Sequence, residues 1–158
     1  IREGNRSFSI ECAYQGSKVF ERGGPYVDLY QVSSRDAKTD PRLKSSGKLM
    51  GFNYLGVNFP LMPVTAFYDW LYIRALYQNI ELSTQLLDYK AFSDIAFNPK
   101  KSVSCQARSA ALFVALYTNK LIEDAVEDKD FFINLGYPTA ISGVSIHQMT
   151  IPFIAENS

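Results

Sequence analysis

Residues 66–78 read Ala-Phe-Tyr-Asp-Trp-Leu-Tyr-Ile-Arg-Ala-Leu-Tyr-Gln, and no other stretch constrains the fold of this chain as strongly. Phe67, Trp70, Leu71, Tyr72, Ile73 and Leu76 put apolar side chains almost all round a helix. A helix of that kind is unstable on a surface, so the rest of the chain must wrap it as a central element. Thr65 stands where it can cap the helix, and Asp69 lies near the positive end of its dipole. A second helical pattern over residues 10–20 sets Ile10, Ala13, Ser17 and Phe20 on one side. Arg22-Gly23-Gly24-Pro25 stops it, because Gly admits left-handed backbone and Pro lacks a donor. Residues 81–89, a stretch running to Tyr117 from a cap at Ser102 or Ser104, and the acidic run 122–130 read as further helices. Residues 26–32 suit a helix or a strand, 33–43 a short helix or loop, and 49–59, with Gly51 and Gly56, an irregular or extended segment. Gly136, Pro138, Gly143 and Pro152 make residues 131–158 read as loop and strand, or as a tail on the body. The expectation is a mainly α, multihelical single domain with minor strands (α+β), spanning 1–130, with the tail 131–158 packed on it.

The 158 residues are enough for a sizeable core. Sixteen basic and sixteen acidic residues cancel. A neutral surface argues against broad binding to nucleic-acid backbone, though not against a local basic pocket. One histidine, His147, and two cysteines, Cys12 and Cys105, exclude the usual Cys/His zinc site and a disulfide scaffold. The cysteines read as reduced, buried side chains of a cytoplasmic protein. No run approaches the roughly 18 consecutive apolar residues of a membrane span, so no membrane partner is expected. Residue 1 is Ile, so the chain is expected to begin inside a longer one.

Chemistry gathers on the first helical pattern. Glu11, Gln15 and Lys18 stand at i, i+4 and i+7, within roughly 60° of arc on a helix and away from its apolar side. A carboxylate, an amide and an amine then lie in a line. Taken alone this is also what an ordinary solvated helix face looks like. The Gly23-Gly24 pair next to it lets backbone N–H groups approach an anion. It is no P-loop, because no Gly-Lys-Ser/Thr follows.

The block Glu11-Cys12-Ala13-Tyr14-Gln15-Gly16-Ser17-Lys18-Val19-Phe20 resembles the helix signature of the NADAR family. A second block, Ala75-Leu76-Tyr77-Gln78-Asn79-Ile80-Glu81-Leu82 with Leu86-Leu87, resembles that family's Asn-x-x-Leu and Leu-Leu arrangement. The longer run Phe8 to Leu116, with Asn98-Pro99-Lys100-Lys101-Ser102 and Cys105-Gln106-Ala107-Arg108-Ser109-Ala110-Ala111-Leu112, most resembles NADAR proteins associated with DarT-type DNA ADP-ribosyltransferase toxins. The resemblance implies a NADAR-like fold and an N-glycosidase that removes ADP-ribose from guanine bases of DNA, an antitoxin to a DarT-type toxin. It implies Lys18 as the amine that attacks the anomeric carbon and forms a Schiff base, and Glu11 as the group that orients ribose or moves protons. No metal or cofactor is expected for that chemistry. The substrate is expected to be ADP-ribosylated guanine in DNA or ADP-ribose, with the toxin as a protein partner.

An amine attacks only when deprotonated, so Lys18 needs burial or a cationic neighbour, while Glu11 pushes the other way. Expected substrate contacts are Gln15, Gly23, Gly24, Tyr26, Trp70, Asp94, Lys100, Lys101 and Arg108. Arg42 and Lys44 are further candidates for the diphosphate. Many members of that family carry Asp and Trp-Gly shortly after the Leu-Leu block. Here Asp94 is present without a Trp, so Phe97, Tyr26 or Tyr54 is the expected substitute for stacking on the base. Two other classes compete. One is an inactive ADP-ribose-binding or toxin-binding module, the other a glycosidase of a small riboside metabolite. Retention of both Glu11 and Lys18 disfavours the pure binder.

Overall fold

A computed structural model of the chain describes residues 1–93 and 105–138. A short hairpin of β1 (Arg2–Glu3) and β2 (Arg6–Ser7) leads into α1 (Ile10–Gly16) and β3 (Lys18–Phe20). A 3-10 helix (Val27–Gln31), α2 (Ser34–Thr39) and α3 (Arg42–Ser45) follow, then β4 (Leu49–Tyr54) and β5 (Val57–Phe59). The remaining elements are α4 (Ala66–Tyr77), α5 (Ile80–Leu87), α6 (Gln106–Thr118), α7 (Ile122–Glu127) and α8 (Lys129–Gly136). The fold is mainly α with two small antiparallel sheets, β1-β2 and β3-β4-β5. No helix among the described residues is long and apolar enough to cross a membrane.

As its all-round apolar pattern requires, α4 is the buried centre: Phe67, Trp70, Leu71, Ile73 and Leu76 are all in the core. Helices α1, α5, α6, α7 and α8 pack on it. The three-stranded sheet covers another side. Phe52 and Tyr54 alternate onto one face of β4, and Phe59 pairs with Phe52 across the hairpin. Their rings meet Phe67 at 4.5 Å (Phe52) and 5.0 Å (Phe59), and Tyr54 meets Trp70 at 5.8 Å. Aromatic pairs at these spacings add attraction beyond the area they bury. Cys12 is buried and Cys105 half-buried, and the two are not joined by a disulfide.

Several local expectations change. The first helix stops at Gly16 rather than Phe20, and Lys18–Phe20 is a strand. The reason is tertiary. Val19 and Phe20 gain a β4 partner, in the pairs Val19–Gly51 and Phe20–Leu49. Gly16 lies so close to the Tyr30 ring that a Cβ there would collide with it. Thr65 gives α4 no side-chain cap; its hydroxyl pairs with that of Tyr137 instead, at 3.1 Å. Residues 49–59 form a regular hairpin, its turn made by Leu55 and Gly56 with φ of 49° and 94°. The acidic run 122–130 is two helices, because the Asp128 side chain accepts from the Asp130 and Phe131 N–H groups and starts α8. Residues 131–136, expected as loop or strand, are therefore helical. Residues 139–158 and the expected caps Ser102 and Ser104 lie outside the described residues.

Candidate active site

Ser9 opens α1 by accepting from the Cys12 N–H at 3.1 Å. Cys12, Ala13 and Gly16 turn inward, against the 3-10 helix, α2 and α4. Glu11 and Gln15 are four apart on the helix, so their side chains meet. The Gln15 amide donates to Glu11 Oε1 at 2.7 Å. After Gly16 the chain turns through Ser17, whose hydroxyl donates to the Ala13 carbonyl at 2.7 Å and pairs with the Tyr30 hydroxyl at 2.8 Å. Lys18 thus leaves on β3, but its side chain folds back over the helix. Its Nζ donates to Gln15 Oε1 at 2.7 Å and sits 5.0 Å from the centroid of the Tyr14 ring. The line of carboxylate, amide and amine read from the sequence is present, built by a helix-to-strand corner instead of one continuous helix.

Electrostatics at this corner favour a reactive amine. Lys18 is half-buried, and burial holds its pKa below the ordinary lysine value. The Glu11 charge opposes that, and the exposed Lys38 of α2 reinforces it. Burial outweighs the carboxylate, and the buried Gln15 amide stands between the two charges. Two phenols that the sequence reading did not single out complete the neighbourhood. Tyr14 lies 5.6 Å from Tyr68 of α4, the rings nearly perpendicular. Burial pushes both phenols up, and the Glu11 charge adds to each. Both are therefore neutral donors near pH 7. Tyr14 was visible inside the α1 block, but nothing in the apolar pattern of α4 set Tyr68 apart from the core.

The other expected residues are distributed as follows. Phe20 to Gly23 is a tight turn closed by a 2.7 Å bond from the Phe20 N–H to the Gly23 carbonyl, which sets Gly24 against the Lys18 backbone and Gly23 against Tyr26 and Ser46. Gly24 has φ +84°, and a Cβ there would strike the Lys18 carbonyl oxygen. Gly24 thus lets the chain pass close against the Lys18 main chain. Tyr26 accepts the Arg42 guanidinium over its ring at 4.4 Å and pairs its hydroxyl with Ser46. Arg42 is itself held by Asp28 at 2.6 Å and Asp40 at 2.9 Å, and Lys44 is exposed on α3. Trp70 is a core residue whose Nε1 donates to the Ala125 carbonyl at 3.1 Å. Tyr54 is buried too, donating to Glu3 at 2.9 Å. Neither joins the Lys18 cluster. Arg108 is paired with the buried Asp69 and donates to Tyr137 at 2.9 Å, so its charge already has an internal partner. Asp94, Phe97, Lys100, Lys101 and His147 lie outside the described residues.

Two cavities among the described residues are elsewhere. One of about 1050 Å³ lies between Tyr77, Ile80, Leu87, Tyr117 and Ile122, and one of about 560 Å³ between Glu3, Trp70, Arg74 and Lys129. The corner of α1 and β3 remains the place where a carboxylate, an amide, two phenols and a desolvated amine converge. No curated protein matches the chain. The sequence model of one family, described as the DarT1-associated NADAR antitoxin, matches residues 1–145.

Proposed function

The chain belongs to the DarT1-associated NADAR antitoxin family, and on that premise we propose that it is an N-glycosidase removing ADP-ribose from guanine bases of ADP-ribosylated DNA. It thereby counters a DarT-type toxin in the cytoplasm. The observation that carries this reading is the state of Lys18: a half-buried amine, hydrogen-bonded to a neutral amide and held below the ordinary lysine pKa by burial.

In this reading the free amine of Lys18 attacks the anomeric carbon of the ribose. The bond from that carbon to the guanine nitrogen breaks, its electron pair leaves with guanine, and guanine gains a proton. The ribose ring opens as the nitrogen loses its protons, leaving a Schiff base between Lys18 and the sugar. Water then adds to the same carbon, the carbon–nitrogen bond breaks, and ADP-ribose departs with the lysine amine restored. Gln15 holds Nζ on the line of attack. Glu11, one amide away, takes and returns protons or holds the ribose hydroxyls. The Gly23-Gly24 backbone lies at the same corner for an anionic group of the substrate, and Lys100 and Lys101 are retained as proposed diphosphate contacts.

The test is incubation with a guanine-ADP-ribosylated oligonucleotide and mass readout. The expected products are the unmodified oligonucleotide and free ADP-ribose. Borohydride added during turnover should trap the sugar on Lys18, and Lys18→Ala should lose both turnover and adduct while keeping its fold. Near wild-type turnover in Lys18→Ala would overturn the mechanism.

A further inference from the structure

The reaction needs something to hold the base while Lys18 meets the sugar. The aromatic side chains that the sequence offers among the described residues are engaged elsewhere. Trp70 and Tyr54 are buried in the core, and the Tyr26 ring carries Arg42. Helix α4 presents a different ring. Tyr68 is half-buried, 5.6 Å from Tyr14 at an interplanar angle of 84°. Tyr14 in turn has Lys18 Nζ 5.0 Å from its centroid. On the next turn of α4, Tyr72 lies 6.1 Å from Tyr68 with the rings inclined by 31°. Helix α6, which begins at Gln106, packs against α4. Tyr14 and Tyr72 thus position the ring before any ligand arrives.

We propose that Tyr68 is a specificity-determining residue of this site, its ring forming the wall on which the planar base stacks while Lys18 meets the anomeric carbon. This rests on the glycosidase reading above. Tyr14 links the amine to this ring, with Lys18 Nζ 5.0 Å and the Tyr68 centroid 5.6 Å from its own centroid. An attacking nitrogen stands about 3–3.5 Å from its carbon, the base is bonded to that carbon, and a stacked ring lies one aromatic thickness beyond. A ring already held by Tyr14 and Tyr72 loses little freedom on binding, so its stacking energy is delivered to the ligand. Stacking reads the face of the base and not the sugar or diphosphate. Its removal must therefore separate a base-bearing ligand from free ADP-ribose.

The experiment measures equilibrium binding of two probes, a guanine-ADP-ribosylated oligonucleotide and free ADP-ribose, to full chains carrying Lys18→Ala so that nothing is consumed. Adding Tyr68→Leu should weaken the oligonucleotide about tenfold or more, the scale of one base stacked on an aromatic ring, and leave ADP-ribose within about twofold. Tyr68→Phe and Tyr68→Trp should both retain the oligonucleotide, because the ring and not the hydroxyl is the contact. Melting curves establish that each variant is folded, and the Phe and Trp variants decide the matter if Leu unfolds the chain. Equal weakening of both probes, no weakening of either, or loss in the folded Phe variant would overturn the proposal. A Lys18→Ala parent that binds neither probe would instead overturn the functional reading, and the base wall with it.

Discussion

Replacing Asp69 tests how α4, α6 and α8 are tied together around the site. Its carboxylate is fully buried. Ser109 donates to Oδ1 at 2.5 Å, and both Arg108 and Tyr137 donate to Oδ2. Removing one partner of a buried ion pair costs about 3–5 kcal/mol when the other charge is stranded. Arg108 is not stranded, because its side chain is 43% exposed and regains water. Ser109 keeps the Cys105 carbonyl at 3.2 Å, and Tyr137 keeps Thr65 at 3.1 Å. Asp69→Ala therefore loses three hydrogen bonds to an ionised acceptor with no orphaned donor, partly offset because no buried charge is left to desolvate, a net cost of about 3 kcal/mol. At about 2–4 °C per kcal/mol for a chain of this size, the melting temperature falls by about 10 °C. Asp69→Asn keeps the shape and one good acceptor, and should lose about half as much. Urea and thermal melts read both variants. Arg108→Ala should cost less in the Asp69→Ala background than in the wild type, by about 1 kcal/mol. Asp69→Ala within about 0.5 kcal/mol of wild type would refute the clasp. So would full additivity with Arg108→Ala, which would mean that the pair contributes nothing as a pair.

Other outcomes follow from single environments. Tyr137 is pushed up to about 12, first by burial and then by the charge of Asp69. A raised folded pKa contributes stability that is whole below pH 10 and lost as pH rises towards 12. The urea midpoint should fall over that window, and less steeply in Tyr137→Phe; identical slopes would show that the phenol is not responsible. Glu11→Gln should slow turnover by about a hundredfold or more. It should also move the acid limb of the pH–rate profile to lower pH, because the carboxylate favours the ammonium form of Lys18. A limb displaced upward would contradict the electrostatics described for this corner. Gly24→Ala should destabilise the fold by more than about 1 kcal/mol and depress turnover through displacement of Lys18, since both its positive φ and the Lys18 carbonyl oppose a Cβ. Gly4→Ala, with φ +57° but open space around it, should cost only the backbone penalty, about 1 kcal/mol, and leave turnover unchanged. Equal melting temperatures for the two would refute the steric part.

What could be read from the residues alone was whatever depends on local pattern. The near-uniform apolarity of residues 66–78 demanded a buried central helix. The i, i+4 pair Glu11 and Gln15 was bound to share a face, and the Glu-x-x-x-Gln-x-x-Lys block carried the family. The length of the first helix was not legible. Its continuation to Phe20 satisfies helical spacing as well as strand pairing does, and the choice rests on β4, about thirty residues away, and on the Tyr30 ring against Gly16. Lys18 therefore reaches Gln15 from a strand, by a geometry that i+7 spacing does not describe. Arg108 looked like a cation for a phosphate because a sequence shows the charge and not its partner. The partner is Asp69, thirty-nine positions earlier and buried. Tyr68 was concealed for the opposite reason. On a helix apolar all round, periodicity cannot tell a ring in the core from one at its edge against Tyr14, and only the packing of α1 and α6 against α4 makes that distinction. Local chemistry decides which groups a chain can bring to a site, whereas long-range packing decides which of them are already neutralised, which are desolvated, and which face one another.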